Sequence, residues 1–174
     1  IARTPDFLFG LNEPGYLIHD IETYPNVFSI GVTHKQTGQR WLFEISDWRN
    51  DINLLCLFLE RASYLKCEMV GFNSLGFDYP VIHFIYKNRH VGITASNIYD
   101  KAMEIIGANG PAKFAHMVWE SDWITQQIDL FKIHHFDNVS KSTSLKILEF
   151  NMRMTSVEDL PFPVGTVLNY EQRT

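Results

Sequence analysis

Two acidic residues one position apart follow a short apolar run near the start of the chain. The run covers residues 16–20 and has the composition of a buried strand. Asp20 is its last residue, and Glu22 follows two positions later. Residues i and i+2 of a strand point to the same face, so the two acids project together while Ile21 points into the opposite layer. Adjacent acids repel each other unless a positive charge lies between them, and oxygen-rich clusters bind hard cations such as Mg²⁺ or Mn²⁺. The alternative is an ordinary strand end with two solvated acids, which the tripeptide alone favours.

A third acid follows another predicted strand. The strand covers residues 68–72 and leads through a short loop to Asp78, at the start of a predicted helix. Together, D-I-E-T at residues 20–23 and N-x-x-x-F-D at residues 73–78 resemble the first two motifs of the DEDD (DnaQ-like) 3′–5′ exonucleases. The likeness is greatest to the proofreading domains of viral and phage DNA polymerases. Two motifs in this order, each after a predicted strand, favour a nuclease over two unrelated strand ends.

The resemblance implies a metal-dependent exonuclease that removes nucleotides from the 3′ end of single-stranded DNA. Its cofactors would be two divalent ions, Mg²⁺ or Mn²⁺, and its catalytic and metal-ligating residues would be Asp20, Glu22 and Asp78. Two cations about 4 Å apart lower the pKa of a bound water and neutralise charge on the attacking and leaving oxygens. In the family pattern Asp20 bridges the ions, Glu22 serves the ion on the nucleophile side, and Asp78 serves the other mostly through water.

The resemblance also implies contacts with single-stranded DNA. They would come from residues beside the two motifs and from an S-L-K triplet that follows I-D-L at residues 128–130, namely Thr23, Asn73, Phe77, Ser144, Leu145 and Lys146. A plain core aromatic is an equal alternative for Phe77. For Asp129 a structural or supporting acid is favoured, and for Lys146 a solvated helix lysine is the default.

The family has a third motif, Y-x-x-x-D or H-x-x-x-x-D, which supplies a fourth acid. Toward the end of the domain neither form occurs; Tyr170, for example, is followed four positions later by Thr174. By analogy the motif belongs to a helix that begins near Asn169 and continues past the last residue shown. Either the fourth acid and its Tyr or His were cut off, or this copy has lost them. We expect the former, a C-terminally truncated fragment of a longer chain, which would itself bind metal weakly and hydrolyse poorly.

Composition indicates one folded domain without a basic surface. The chain has 174 residues, of which 45% are hydrophobic, and a formal net charge of −5. These values predict a single domain over residues 1–174 and exclude a protein that holds duplex DNA by charge alone. The resemblance implies that the domain is exonuclease-like, and its prolines and glycines predict an irregular lead-in at residues 1–15. The sequence has no apolar run of about 18 residues and no signal peptide. Cys56 and Cys67 stand alone, so a reducing cytoplasm is the expected compartment, that of the host if the chain is phage-encoded.

The order of predicted elements indicates an α/β fold. Strands are predicted over residues 16–20, 27–34, 39–45, 68–72 and 125–130. Helices are predicted after a cap at residues 46–47, after Asp78, from Thr94 to residues 109–110, and from residue 142 or 143, with a loop at 110–123. This order is that of a ribonuclease H-like mixed sheet, three antiparallel strands and then parallel ones, flanked by helices. In such a sheet the ends of the first and fourth strands are neighbours, so the three acids would meet.

Several functions remain open at this point. The preferred one is the proofreading part of a phage-type DNA polymerase, with the polymerase domain in the same or a partner chain and no membrane involved. One alternative is a free-standing DEDD exonuclease that acts on RNA or DNA. Another is a non-catalytic ribonuclease H-like module that binds nucleic acid or a partner protein.

Overall fold

Five strands of the chain form one mixed sheet in the computed structural model, which describes residues 10–134 and 161–173. The strands are β1 (Tyr16–Tyr24), β2 (Val27–His34), β3 (Arg40–Ser46), β4 (Glu68–Gly71) and β5 (Gln126–Asp129). Their order across the sheet is β3-β2-β1-β4-β5, with β2 antiparallel to β1 and β3, and β4 parallel to β1 and β5. The predicted α/β class is confirmed, and the arrangement is consistent with a ribonuclease H-like fold.

Helices connect the strands that run parallel. They are α1 (Ile52–Tyr64), α2 (Asp78–Lys87), α3 (Ala95–Gly107) and the short α4 (Leu130–His134). The predicted loop at 110–123 contains two 3₁₀ turns, Gly110–His116 and Glu120–Asp122. The predicted helix from residue 142 or 143 lies outside the described residues. Within the two described ranges, no helix has the length and apolar character needed to cross a lipid bilayer.

One face of the sheet packs against the helices. Leu17 and Ile21 of β1 point to this face, and they share a hydrophobic cluster with residues from α1, α2 and α3. Phe58 of α1 is completely buried there, and its ring centroid lies 5.2 Å from that of Phe43 on β3. Burying a side chain of this size contributes about 1.5–3 kcal/mol. This core fixes the plane of the sheet and therefore the direction of the residues on its other face.

The other face of the sheet carries Asp20 and Glu22 and is more open. Ile18 on β1 is 45% exposed and Leu42 on β3 is 55% exposed, although both are apolar. At the far end of this face, Leu168 packs on Tyr24, so that the segment 161–173 lies across the end of β1. The acids therefore lie between an open sheet surface and a chain segment from the end of the sequence.

Two helix boundaries differ from the prediction. Ser46 was expected to cap α1, but its hydroxyl accepts hydrogen bonds from the N–H groups of Trp48 and Arg49 and so stabilises a turn. The helix begins at Ile52, because Asp51 is held by the N–H of Glu44 and by an ion pair with Arg49. At the other boundary, α3 ends at Gly107, before the predicted stop at residues 109–110. The predicted Thr94 cap is confirmed, with a capping box to Asn97.

Candidate active site

The carboxylates meet because β1 is longer than its parallel neighbour. Only residues 16–18 of β1 pair with β4, which ends at Gly71, whereas β1 continues to Tyr24 while paired with β2. The predicted strand end at Asp20 is therefore wrong, since cross-strand hydrogen bonds to β2 extend β1 by four residues and move the turn to residues 25–26. Beyond the end of β4, the protruding part of β1 leaves room for the loop 72–77 and for Asp78.

The loop 72–77 is held in a tight conformation by its own side chains. Asn73 has a positive φ of 56°, a conformation that Asn tolerates better than most residues. A Cβ atom added at Gly76 would lie 2.6 Å from the Oδ1 atom of Asn73, so a larger residue there would displace the Asn73 side chain. The carboxylate of Asp129 accepts hydrogen bonds from the N–H groups of Leu75 (3.1 Å) and Phe131 (3.0 Å). Asp129 thus ties the loop to the end of β5, which is the structural use expected for it.

Asp20 and Asp78 are in direct contact. Their carboxyl groups lie within hydrogen-bonding reach of each other, and Asp78 is only 7% exposed at the first position of α2. Burial, and after it the negative charge of Asp20, raise the pKa of Asp78 to about 7. Burial likewise raises the pKa of Asp20, although its residue as a whole is exposed. Two acids in such contact share a proton near neutral pH, because both cannot be ionised without repulsion.

Glu22 lies next to Asp20 and Asp78 and is affected by the charge of Asp20. It is half-buried on the same face of β1 as Asp20. Its pKa is raised by burial and then by the charge of Asp20. In residues 10–134 and 161–173, no three His, Cys, Asp or Glu side chains are arranged as a metal-binding group. Three carboxylates are the right donors for Mg²⁺ or Mn²⁺, but the described residues bring two into contact and leave the third beside them.

Space for a ligand lies directly beside Asp20. Gly31 on β2 pairs with Asp20 across the strands, so a side chain there would project to the same face. A Cβ atom added at Gly31 would meet no atom of residues 10–134 or 161–173 within 4 Å. The surface next to the Asp20 carboxylate is therefore open, and this glycine keeps it so.

The described residues that were predicted to contact nucleic acid lie in different parts of the fold. Thr23 pairs with the buried Phe28 and, by strand alternation, points to the helix face, away from Asp20 and Glu22. Asn73 and Phe77 both line a cavity of about 510 Å³ that adjoins the loop 72–77. Phe77 also packs against the core, so the two predicted uses of this ring are compatible. The triplet Ser144, Leu145 and Lys146 lies outside the described residues.

Sequence reasoning missed the opposite walls of that cavity. Lys113 and Phe114 come from the first 3₁₀ turn, and Lys132 comes from α4. In the sequence, the only signal was a phenylalanine next to a lysine in a segment without helical or strand periodicity. Such a pair does not indicate which part of the fold it contacts. Only the fold places this segment opposite residues 73–77.

No family model matches the chain, and neither a curated protein nor a solved structure matches it. The likeness to the DEDD exonucleases consequently depends on the two motifs and on the placement of their acids.

Proposed function

We propose that the chain is a metal-dependent 3′–5′ exonuclease acting on the 3′ end of single-stranded DNA, as the proofreading domain of a DNA polymerase. The observation that carries the proposal is the contact between Asp20 and Asp78, which are 58 positions apart and belong to the two motifs. A buried acid such as Asp78 in contact with a second acid opposes folding, and such pairs are concentrated at functional sites. A site that binds cations accounts for this arrangement.

Asp20, Glu22 and Asp78 would hold the cations of such an enzyme. Two bound divalent ions activate a water and neutralise charge on the phosphodiester. Before these carboxylates bind a cation, the pair Asp20 and Asp78 has to release its shared proton, because ligating carboxylates are deprotonated. The open surface at Gly31 allows a nucleotide backbone to approach Asp20 without a clash.

One observation favours the non-catalytic alternative. Among the described residues only two carboxylates are in contact, and no complete group of three ligands is formed. A ribonuclease H-like module that binds nucleic acid or protein without hydrolysis would also tolerate this. The two functions differ in whether cations bind to Asp20 and whether the 3′ end is shortened.

The direct test is hydrolysis of a 5′-labelled single-stranded oligodeoxynucleotide in the presence of Mg²⁺ or Mn²⁺. It is made with the 174-residue chain and with the polypeptide that includes any residues encoded after Thr174. We expect a ladder shortened from the 3′ end, nucleoside monophosphates as products, and no reaction in EDTA. An RNA of the same sequence, run in parallel, distinguishes a DNA enzyme from the free-standing RNA alternative.

Asp20→Ala should lower the rate by at least about a hundredfold, since even residues that only orient a metal ligand are worth 10- to 100-fold. The matched control is Glu68→Ala, which removes a half-buried carboxylate at the opposite end of the sheet, where Glu68 pairs with Tyr16. The control should retain the rate. Activity that survives Asp20→Ala, or that is lost equally in both variants, would contradict the assigned site.

A further inference from the structure

A cavity lies beside the carboxylates, and the proposed hydrolysis does not use it. Its volume is about 510 Å³, within the range of small-ligand sites. Three parts of the chain enclose it: the loop 72–77, the end of α3 with the following 3₁₀ turn Gly110–His116, and the junction of β5 with α4. These three parts are far apart in sequence, and only the fold brings them together.

The walls of the cavity are apolar and partly aromatic. Three of the side chains that line it differ in exposure: Phe77 is half-buried, Ile105 is buried and Phe114 is 63% exposed. Ile106 next to it is 59% exposed. Exposed aromatic and aliphatic side chains around a concavity favour a flat apolar ligand, and a nucleobase stacks on such rings whatever its identity.

The charged groups of the cavity are mainly basic. Lys113 and Lys132 line it and are solvent-exposed, and His116 lies on the same wall, where its Nδ1 atom is 3.1 Å from Lys101 Nζ. Asp129, the one acid that the described residues contribute to the lining, is buried and already accepts two backbone hydrogen bonds. An anionic group at the opening would therefore meet two lysines without a competing exposed carboxylate in the lining.

The cavity adjoins the carboxylate pair through two of its own residues. Phe77 immediately precedes Asp78, and Asp129 is near enough for its charge to act on the carboxyl of Asp78. A ligand that fills the cavity is thus a neighbour of whatever the carboxylates bind.

We propose that this cavity is a nucleotide-binding subsite, in which a nucleobase lies against Phe77 and Phe114 and a phosphate group is held by Lys113 and Lys132. The inference deepens the proposed nuclease function, because it assigns a position to a nucleotide unit beside the carboxylates. The unit is either part of the substrate strand or a released mononucleotide, which share the same base and phosphate chemistry.

The test is a calorimetric titration in EDTA with thymidine 5′-monophosphate, thymidine, inorganic phosphate and the tetranucleotide d(T)₄. We expect the monophosphate or the tetranucleotide to bind at least about fivefold more tightly than thymidine or phosphate alone, because base and phosphate contact different walls. Tighter binding of the tetranucleotide identifies the strand as the source, and tighter binding of the monophosphate identifies the product. Equal binding of phosphate and monophosphate, or no binding of any probe, overturns the proposal.

Variants locate the binding. Phe114→Ala should weaken it at least about fivefold, as expected for a lost stacking contact. Lys113→Ala combined with Lys132→Ala should weaken it further and reduce its dependence on salt. Matched controls are Tyr64→Ala and Lys35→Ala, which remove an exposed ring and an exposed lysine away from the cavity. All five substituted positions are exposed, so each of the four variants should fold. Binding unchanged in the cavity variants contradicts the subsite. Since the titration contains no metal and measures no hydrolysis, its failure would leave the nuclease proposal standing.

Discussion

Glu44 on strand β3 and Asp78 at the start of helix α2 are two buried carboxylates with opposite surroundings. Glu44 on β3 is 4% exposed and its carboxylate lies 3.3 Å from the guanidinium of Arg173. Asp78 is 7% exposed, and its neighbour is another acid, Asp20; in residues 10–134 and 161–173 no basic side chain forms an ion pair with it. A buried charge with an opposite charge beside it belongs to a structural network, whereas a buried acid beside another acid is the arrangement on which the proposed cation site depends.

The comparison predicts that replacing Arg173 lowers the free energy of unfolding, whereas replacing Asp78 raises it at high pH. The larger effect is expected at Arg173. Arg173→Ala leaves the buried Glu44 without its counter-charge and also removes a guanidinium 4.6 Å from the ring of Tyr170. Breaking one partner of a buried pair costs about 3–5 kcal/mol. We expect the free energy of unfolding, measured by urea denaturation, to fall by that amount. Arg40→Ala, at an exposed arginine of β3, should change it little. A double replacement by Leu at positions 44 and 173 should recover most of the loss, and failure to recover would indicate a different cause.

Asp78→Asn should have the opposite effect at high pH. Without a cation, Asp78 keeps its proton up to about pH 7 in the folded protein but loses it near pH 4 when unfolded. The folded state therefore binds more protons between these values, and the stability of the native chain falls as pH rises through this range. The variant has no such proton, so in EDTA at pH 8 it should be more stable than the native chain by about 2–4 kcal/mol, and at pH 4 equal to it.

Urea denaturation at both pH values in EDTA measures this difference. The control is Asp100→Asn on α3, where the carboxylate is exposed. A native chain whose stability does not fall between pH 4 and pH 8, or an Asn variant less stable at pH 8, would show that Asp78 is accommodated like Glu44.

Gly31→Val tests the surface beside Asp20, and its expected effect is smaller than those at Arg173 and Asp78. The side chain has space, and valine is favoured over glycine in a strand, so stability should be unchanged or slightly higher. The open surface beside Asp20 is filled, however, and the rate of hydrolysis of single-stranded DNA should fall about tenfold, or 1.4 kcal/mol in transition-state stabilisation. Thr33→Val, two positions along the same strand and opposite Ile18, is the control and should retain the rate. Equal rates in both variants would show that substrate does not approach over Gly31.

The sequence predicted the existence and order of the strands better than the boundaries and the cavity. Strand alternation and two motifs were enough to select Asp20, Glu22 and Asp78, and the parallel pairing of β1 with β4 agrees with that selection. The length of β1 was missed, because it depends on hydrogen bonds to β2 and not on its own composition.

Long-range contacts explain the other misses. The start of α1 was misplaced because the N–H of Glu44 and the side chain of Arg49 determine the role of Asp51. The cavity could not be predicted, because no sequence pattern indicates that its three lining segments are close in space. They are residues 73–77, 105–117 and 129–132.

The central claim is that Asp20 and Asp78 form a cation site, and a titration with Mn²⁺ followed by electron paramagnetic resonance tests it most directly. At pH 8 the native chain should bind Mn²⁺, and at pH 7 binding should release protons, since the pair shares one there. Asp20→Asn and Asp78→Asn should each weaken binding at least tenfold, while Glu68→Gln should not. Binding of the same strength in all four proteins, or no binding to the native chain, would contradict the account.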